Sequence, residues 1–291
     1  MTEIRENTAL KALINLLDEP DENSFTLVRD KLFSYGSEAI PLLDNAMENS
    51  FDMLIRGRIT EILGKIRMDQ LRHEFSAWVN FGSSDLLKGF LQVSAYENFS
   101  LDKEELTRKV EQIKMDVWLE LNDNLTALEN IKVLNHIFYE VHHFDGKQSH
   151  NLNSGLFFLD HLLETHKGNP LSLGILYMVI AQRLKLPVFG VNLPQHFILA
   201  YLIEPGITGP AAEDVLFYIN PFNQGSVFTR REIELFIHQL KIKPELSFFA
   251  PCSNADVIER MLRNLIFTYK QTGEPEKIQD LESLLKIIEG E

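Results

Sequence analysis

The sequence predicts a mostly helical α+β protein: a helical N-terminal cap, a core holding a small antiparallel sheet, and a C-terminal helical hairpin. Three observations predict it. Apolar residues recur at three-and-four spacing through residues 7–145, the period of a helix with one buried face. From residue 188 to 219 that period gives way to short β-branched and aromatic runs bounded by Pro and Gly. Helical spacing then returns over 255–288. The 291 residues, 45% hydrophobic and 24% charged, suffice for a real core and match a folded soluble protein.

The elements follow in order. Leu10, Leu13 and Leu17 form the first apolar set, Phe25, Val28 and Leu32 the second, Ile40, Leu43 and Met47 the third, and Ile55, Ile59, Ile62 and Ile66 the fourth. Pro20, Gly36 and the pair Asn49 and Ser50 separate them, where caps and turns belong. Two helical hairpins result, a HEAT-like cap over residues 1–68 that is too short to wind into a superhelix. The pattern stays helical through Leu86, Phe90 and Val93, then Ile113, Val117 and Leu121, then Val133, Leu134, Ile137, Phe138 and Val141. The longest apolar stretch, 171–186, is interrupted by Gln182, Arg183 and Lys185 and falls short of the roughly 20 residues that span a bilayer. It reads as a buried core helix.

Residues 188–191, 197–203 and 215–219 are predicted strands of the sheet, the last two joined by an exposed acidic loop over 204–214 that carries Pro205, Gly206, Gly209 and Pro210. The core is expected to span 69–245. Over 246–291, Ile258, Met261, Leu262, Leu265 and Tyr269 share one face, Gly273 stops the helix, and Ile278, Leu281, Leu285 and Ile288 follow Pro275. This hairpin resembles a tetratricopeptide unit and is expected to pack on the preceding domain.

With 42 acidic against 28 basic residues the formal charge is −14, a field that repels phosphate backbones and anionic lipids. Neither nucleic acid nor a membrane is the expected partner. A single cysteine, Cys252, excludes an intramolecular disulfide and a cysteine zinc cluster, and the N-terminus lacks the order of a signal peptide. The expected compartment is a reducing, cytoplasmic one. His142, His143, His150, His161 and His166 invite a metal, but His161 and His166 are five apart, on different helix faces, and no His-Glu-x-x-His occurs. No phosphate loop or dinucleotide fingerprint is present. No metal and no cofactor are expected.

The chemistry-bearing stretch is Gly168-Asn169-Pro170-Leu171-Ser172 opening the apolar helix, followed by the run Gly190-Val191-Asn192-Leu193-Pro194-Gln195-His196-Phe197 and by Tyr218-Ile219-Asn220-Pro221-Phe222. A helix N-terminus facing a sheet, with His on one strand and an amide or carboxylate on the next, is how thiol acyl-transfer enzymes assemble a triad. The helix end lowers the thiol pKa, the imidazole takes its proton, and the third group orients the ring.

On these motifs, together with Asn153-Ser154-Gly155-Leu156, the sequence over about 70–291 resembles the transglutaminase-like superfamily, in particular its bacterial SirB/YchA-type members with tetratricopeptide-like helices. The resemblance implies an α+β core related to papain-like enzymes, with His196 at the superfamily histidine and Asn220 where its aspartate stands. It places the nucleophile near Pro170, and no cysteine precedes Cys252. A thiol transglutaminase or protease is thereby disfavoured.

Two uses of these residues stay open. Ser172 either bonds locally to the helix terminus or acts as a nucleophile on an amide or ester, with His196 as base and Asn220 as orienter. His196 either closes a hydrogen-bonded strand start or lines a vestigial site, and Asn220-Pro221 also reads as an ordinary turn. The leading expectation is a non-catalytic binding or scaffolding protein, with a regulatory role suggested by family analogy and a protein or peptide partner. The alternative is a serine-dependent hydrolase or acyltransferase.

Overall fold

The computed structural model describes residues 2–146, 153–203 and 210–290, and it is the mostly helical α+β protein that the sequence predicts. The chain divides into two units, Met1–Glu74 and Phe75–Glu291. The first unit therefore ends later than residue 68, and the C-terminal hairpin is grouped with the core.

In the first unit, α1 (Thr2–Ile14), α2 (Glu22–Tyr35) and α3 (Ile40–Asn49) precede α4 (Met53–Asn80), in which Glu74 lies. Asp21 caps α2 by accepting from the Ser24 amide at 2.8 Å. The anticipated apolar stripes meet in one cluster containing Leu10, Phe25, Leu32, Leu43, Ile59 and Ile62. Arg58 is buried beside it and donates to the carbonyls of Leu17 and Glu19 while its guanidinium covers the Phe25 ring at 3.9 Å. Those carbonyls satisfy a buried charge that would otherwise be costly.

The second unit is built around α9 (Pro170–Arg183), from Leu171 to Ala181 buried on every side. A helix apolar all round belongs in the middle of a fold. Around it lie α5 (Leu86–Glu97), α6 (Lys103–Glu120), α7 (Ala127–Asn135), which continues as π-helix over His136–Val141, and α8 (Leu159–Thr165). A two-residue parallel pair, β1 (Asp145–Gly146) with β2 (Lys167–Gly168), sits just ahead of α9.

The sheet is antiparallel in the order β3 (Val188–Val191), β4 (Ile198–Leu202), β5 (Val215–Asn220), β6 (Ser226–Phe228). One of its faces presents Ile198, Ala200, Leu202 and Tyr218 to Ile233 and Ile237 of α10 (Arg230–Gln239). The other face meets α9, where Gly174 allows close approach: a Cβ there would lie 2.7 Å from the Phe197 ring. The hairpin α11 (Asn254–Thr272) and α12 (Pro275–Glu289) closes the chain, with Gly273 as its left-handed cap at φ +78°.

The three expected strands are present. Strand β6 and helix α10 are additions, as is the β1/β2 pair. Residues 204–209 of the expected acidic loop lie outside the described residues, and Ala212–Asp214 form a 3-10 turn. Among the described residues no helix is long and apolar enough to cross a membrane.

Candidate functional site

The N-terminus of α9 is shaped by a reciprocal cap. Asn169 Oδ1 accepts from the amides of Leu171 and Ser172, each at 2.9 Å, and Ser172 Oγ accepts from the Asn169 amide at 3.1 Å. Pro170 occupies the first helical position, where no amide hydrogen is needed. Ser172 Oγ donates at 2.7 Å to the carbonyl of Leu156, and the residue is only 1% exposed. The hydroxyl proton that a base would have to remove is therefore held by a buried backbone oxygen. Replacing Ser172 by Ala leaves that carbonyl and the Asn169 amide short of partners, and should cost about 1–3 kcal/mol in urea unfolding.

His196 lies elsewhere. Its ring stands edge-on to Phe236 of α10, centroids 4.8 Å apart, and its carbonyl accepts from Arg260 at 2.9 Å. The neighbouring Phe197, not the imidazole, is the side chain that faces α9. Partial burial, and then the Arg260 charge, hold the His196 pKa below its ordinary value. The unfolded chain consequently binds a proton more readily than the folded one as pH falls. Stability contributed by neutral His196 is fully present above the ordinary histidine pKa and is lost as pH drops through it towards the folded value. A His196→Gln variant should show a flatter midpoint against pH between about 7 and 5 in denaturant titrations.

Asn220 ends β5, and its Oδ1 accepts from the amides of Phe222 at 3.0 Å and Asn223 at 3.2 Å. It shapes its own turn. Among the described residues the side chains of Ser172, His196 and Asn220 make no hydrogen bond to one another: the hydroxyl is bound to backbone, the imidazole lies against Phe236 of α10, and the amide oxygen accepts from its own turn.

Cys252 forms a single bridge with the edge of the sheet, its amide donating to the Gly190 carbonyl at 2.8 Å and its Sγ to the same oxygen at 3.1 Å. Burial pushes its thiol up to about 12. That disfavours the thiolate that nucleophilic chemistry needs.

The histidines are dispersed in different roles. His142 pairs with Asp116 at 2.9 Å, His166 caps α8 in the left-handed region against Phe144, and His161 stands near Gly155. His143 takes φ +57°, and His150 lies outside the described residues.

Two features around these positions escape a sequence reading. Arg260 donates to Asn192 Oδ1 and the carbonyls of Leu193 and His196, at 2.9–3.2 Å, fastening the 192–196 turn to α11. Asn135 accepts from the Tyr177 hydroxyl at 2.8 Å and donates to the Gly225 carbonyl at 2.9 Å, while Tyr139 donates to the Pro221 carbonyl. These bonds fix the turn after Asn220. One signal was present for α10: Thr229 followed by Glu232 is the capping-box pattern, and Glu232 Oε2 accepts from the Thr229 amide at 2.7 Å and from its hydroxyl at 2.9 Å.

With this geometry in hand, comparison with known proteins gives three results. A model of the transglutaminase-like superfamily matches residues 104–263. Among curated proteins, a UPF0162 protein of Buchnera aphidicola subsp. Baizongia pistaciae is 31% identical over 46% of this chain and 45% of its own length. F-box only protein 21 of Homo sapiens is 28% identical over 54% of this chain and 24% of its own length, and that of Pongo abelii 27% over 62% and 28%. The chain thus spans between about a quarter and just under half of the length of these relatives. No solved structure matches it.

Proposed function

This chain belongs to the transglutaminase-like superfamily, and from that premise we propose that it works without catalysis, as a binding or scaffolding protein for a protein or peptide partner in the cytoplasm. The observation that carries this reading is the state of Ser172, the one hydroxyl in the first turn of α9. It is spent on the Leu156 carbonyl and on the cap of its own helix. Activating it would require breaking a buried bond and bringing up a base, and the His196 ring packs against Phe236 of α10. Sulfur chemistry has no better candidate, since the only cysteine is Cys252, with its thiol proton held by Gly190.

A net charge of −14 favours a partner other than nucleic acid or an anionic bilayer. The serine-hydrolase alternative is tested directly. A fluorophosphonate probe should leave the wild-type protein unlabelled, and labelling that vanishes in Ser172→Ala would overturn the proposal. Capture of a partner from cell extract by both wild type and Ser172→Ala is the complementary expectation, because a scaffold does not need that hydroxyl.

A further inference from the structure

Four large apolar side chains stand in water at one end of the first unit. Phe51 is 96% exposed and Met53 82%, and Leu54 and Leu16 are exposed beside them. Such residues scattered singly need no explanation, but these are gathered. Phe51, Met53 and Leu54 make the turn from α3 into α4, and Leu16 belongs to the turn from α1 into α2. Arg58, one helical turn after Leu54, ties the two turns together by donating to the carbonyls of Leu17 and Glu19. Asp52 accepts from the amides of Leu54 and Ile55, and Arg56 donates to the carbonyls of Met47 and Ser50. These bonds pin the backbone of the α3–α4 turn in the shape that leaves Phe51 and Met53 outside.

Both turns also carry carboxylates. Asp18, Glu19, Asp21 and Glu22 come from the first, Glu48 and Asp52 from the second, against the bases Arg56 and Arg58. Among the described residues only Glu22 of these acids meets a base, Arg58 at 3.1 Å, since Arg56 is spent on carbonyls. Asp21 and Asp52 are explained as helix caps. The side chains of Asp18 and Glu48 have no bonding duty in the fold. An apolar surface bordered by uncompensated carboxylates is complementary to an apolar stripe bordered by Lys and Arg, the pattern of a basic amphipathic helix. A second copy fits worse, because a two-fold contact would set these carboxylates against themselves. An anionic bilayer is repelled for the same reason.

From this we infer that the end of the first unit formed by the α1–α2 and α3–α4 turns docks a basic amphipathic helix of a protein partner, with Phe51 and Met53 as its apolar anchors and the carboxylates of both turns selecting its Lys and Arg. The inference rests on the binding role proposed above and gives that role a place and a partner chemistry.

The probe is a fluorescein-labelled synthetic helix of roughly eighteen residues, Leu along one stripe and Lys elsewhere, titrated with the full chain by fluorescence anisotropy. At about 0.15 M salt the Debye length of about 8 Å screens the pull of distant charges. A scrambled peptide of the same composition keeps the charge and loses the stripe. The helix should bind saturably and at least about tenfold more tightly than the scrambled peptide. The double variant Phe51→Ser and Met53→Ser, at two exposed positions, should keep its thermal midpoint and bind the helix at least about tenfold more weakly. Asp18→Asn with Glu48→Gln removes two charges and should cost about threefold, the size of two exposed ion pairs, and that loss should vanish at about 1 M salt. Equal affinity for the two peptides, or unchanged affinity in the Phe51 and Met53 variant, would overturn the inference. So would a wild-type dimer that this variant dissociates in sedimentation, which assigns the surface to a second copy. Binding to phosphatidylcholine vesicles that the same variant abolishes would assign it to a bilayer and overturn the inference equally. A fluorophosphonate adduct on Ser172 would remove the non-catalytic reading and leave this surface standing. Failure of the helix to bind would remove the surface and leave that reading to the capture experiment.

Discussion

Replacing Gly225 by Ala should destabilise the second unit by about 3–5 kcal/mol, a loss far above the usual range for a surface turn. Two costs combine. Gly225 adopts φ +66°, where an L side chain adds roughly 1 kcal/mol of strain. Its new Cβ would also lie 2.0 Å from Asn135 Oδ1, so Asn135 has to move. That displacement breaks the bonds from the Tyr177 hydroxyl and to the Gly225 carbonyl. Tyr177 is wholly buried, so its hydroxyl would be left without an acceptor, a penalty of about 1–3 kcal/mol. The urea midpoint should fall accordingly. A cycle with Asn135→Ala separates the parts: with the amide gone the Gly225 substitution should cost only its backbone strain, and equal costs in both backgrounds would refute the steric account.

Arg260→Met should cost about 2–4 kcal/mol. Methionine keeps the apolar stem but offers no donor to the carbonyls of Leu193 and His196 or to Asn192 Oδ1. The turn that places His196 then loses its anchor to α11. A second readout distinguishes this anchor from general packing. Arg260 is one of the two causes that hold the His196 pKa down, so its removal should raise that pKa in an NMR titration. An unchanged His196 titration would show that the guanidinium does not act on the ring.

Much of the architecture was legible because it rests on periodicity. The stripes at Leu10, Phe25, Leu43 and Ile59 and at Ile258, Met261 and Leu265 have one buried face each, and spacing alone reports that. The helix at 171–181, buried on every side, was legible for a different reason, as an apolar run too short to span a bilayer. Strand β6 was not, because three residues are too few to establish an alternation, and β1 and β2 have two each. The candidate site was legible as residue types but not as a meeting of side chains. Whether His196 or Phe197 faces α9 is decided by the turn before β4, and a shift of one residue reverses it. That turn is in turn set by Arg260, more than sixty positions away, which no local pattern connects to it.

The split between His196 and Phe197 also bears on any attempt to build an enzyme from this scaffold. Installing sulfur at Ser172 would put a thiol against the Leu156 oxygen with an aromatic ring, not an imidazole, across from its helix. Building acyl transfer with His196 as the base would take an exchange of the two side chains as well, and Gly174 leaves room for a ring there only because it has no side chain of its own. The Phe197 ring already occupies the space beside Gly174, so a designer would have to empty it before adding a nucleophile.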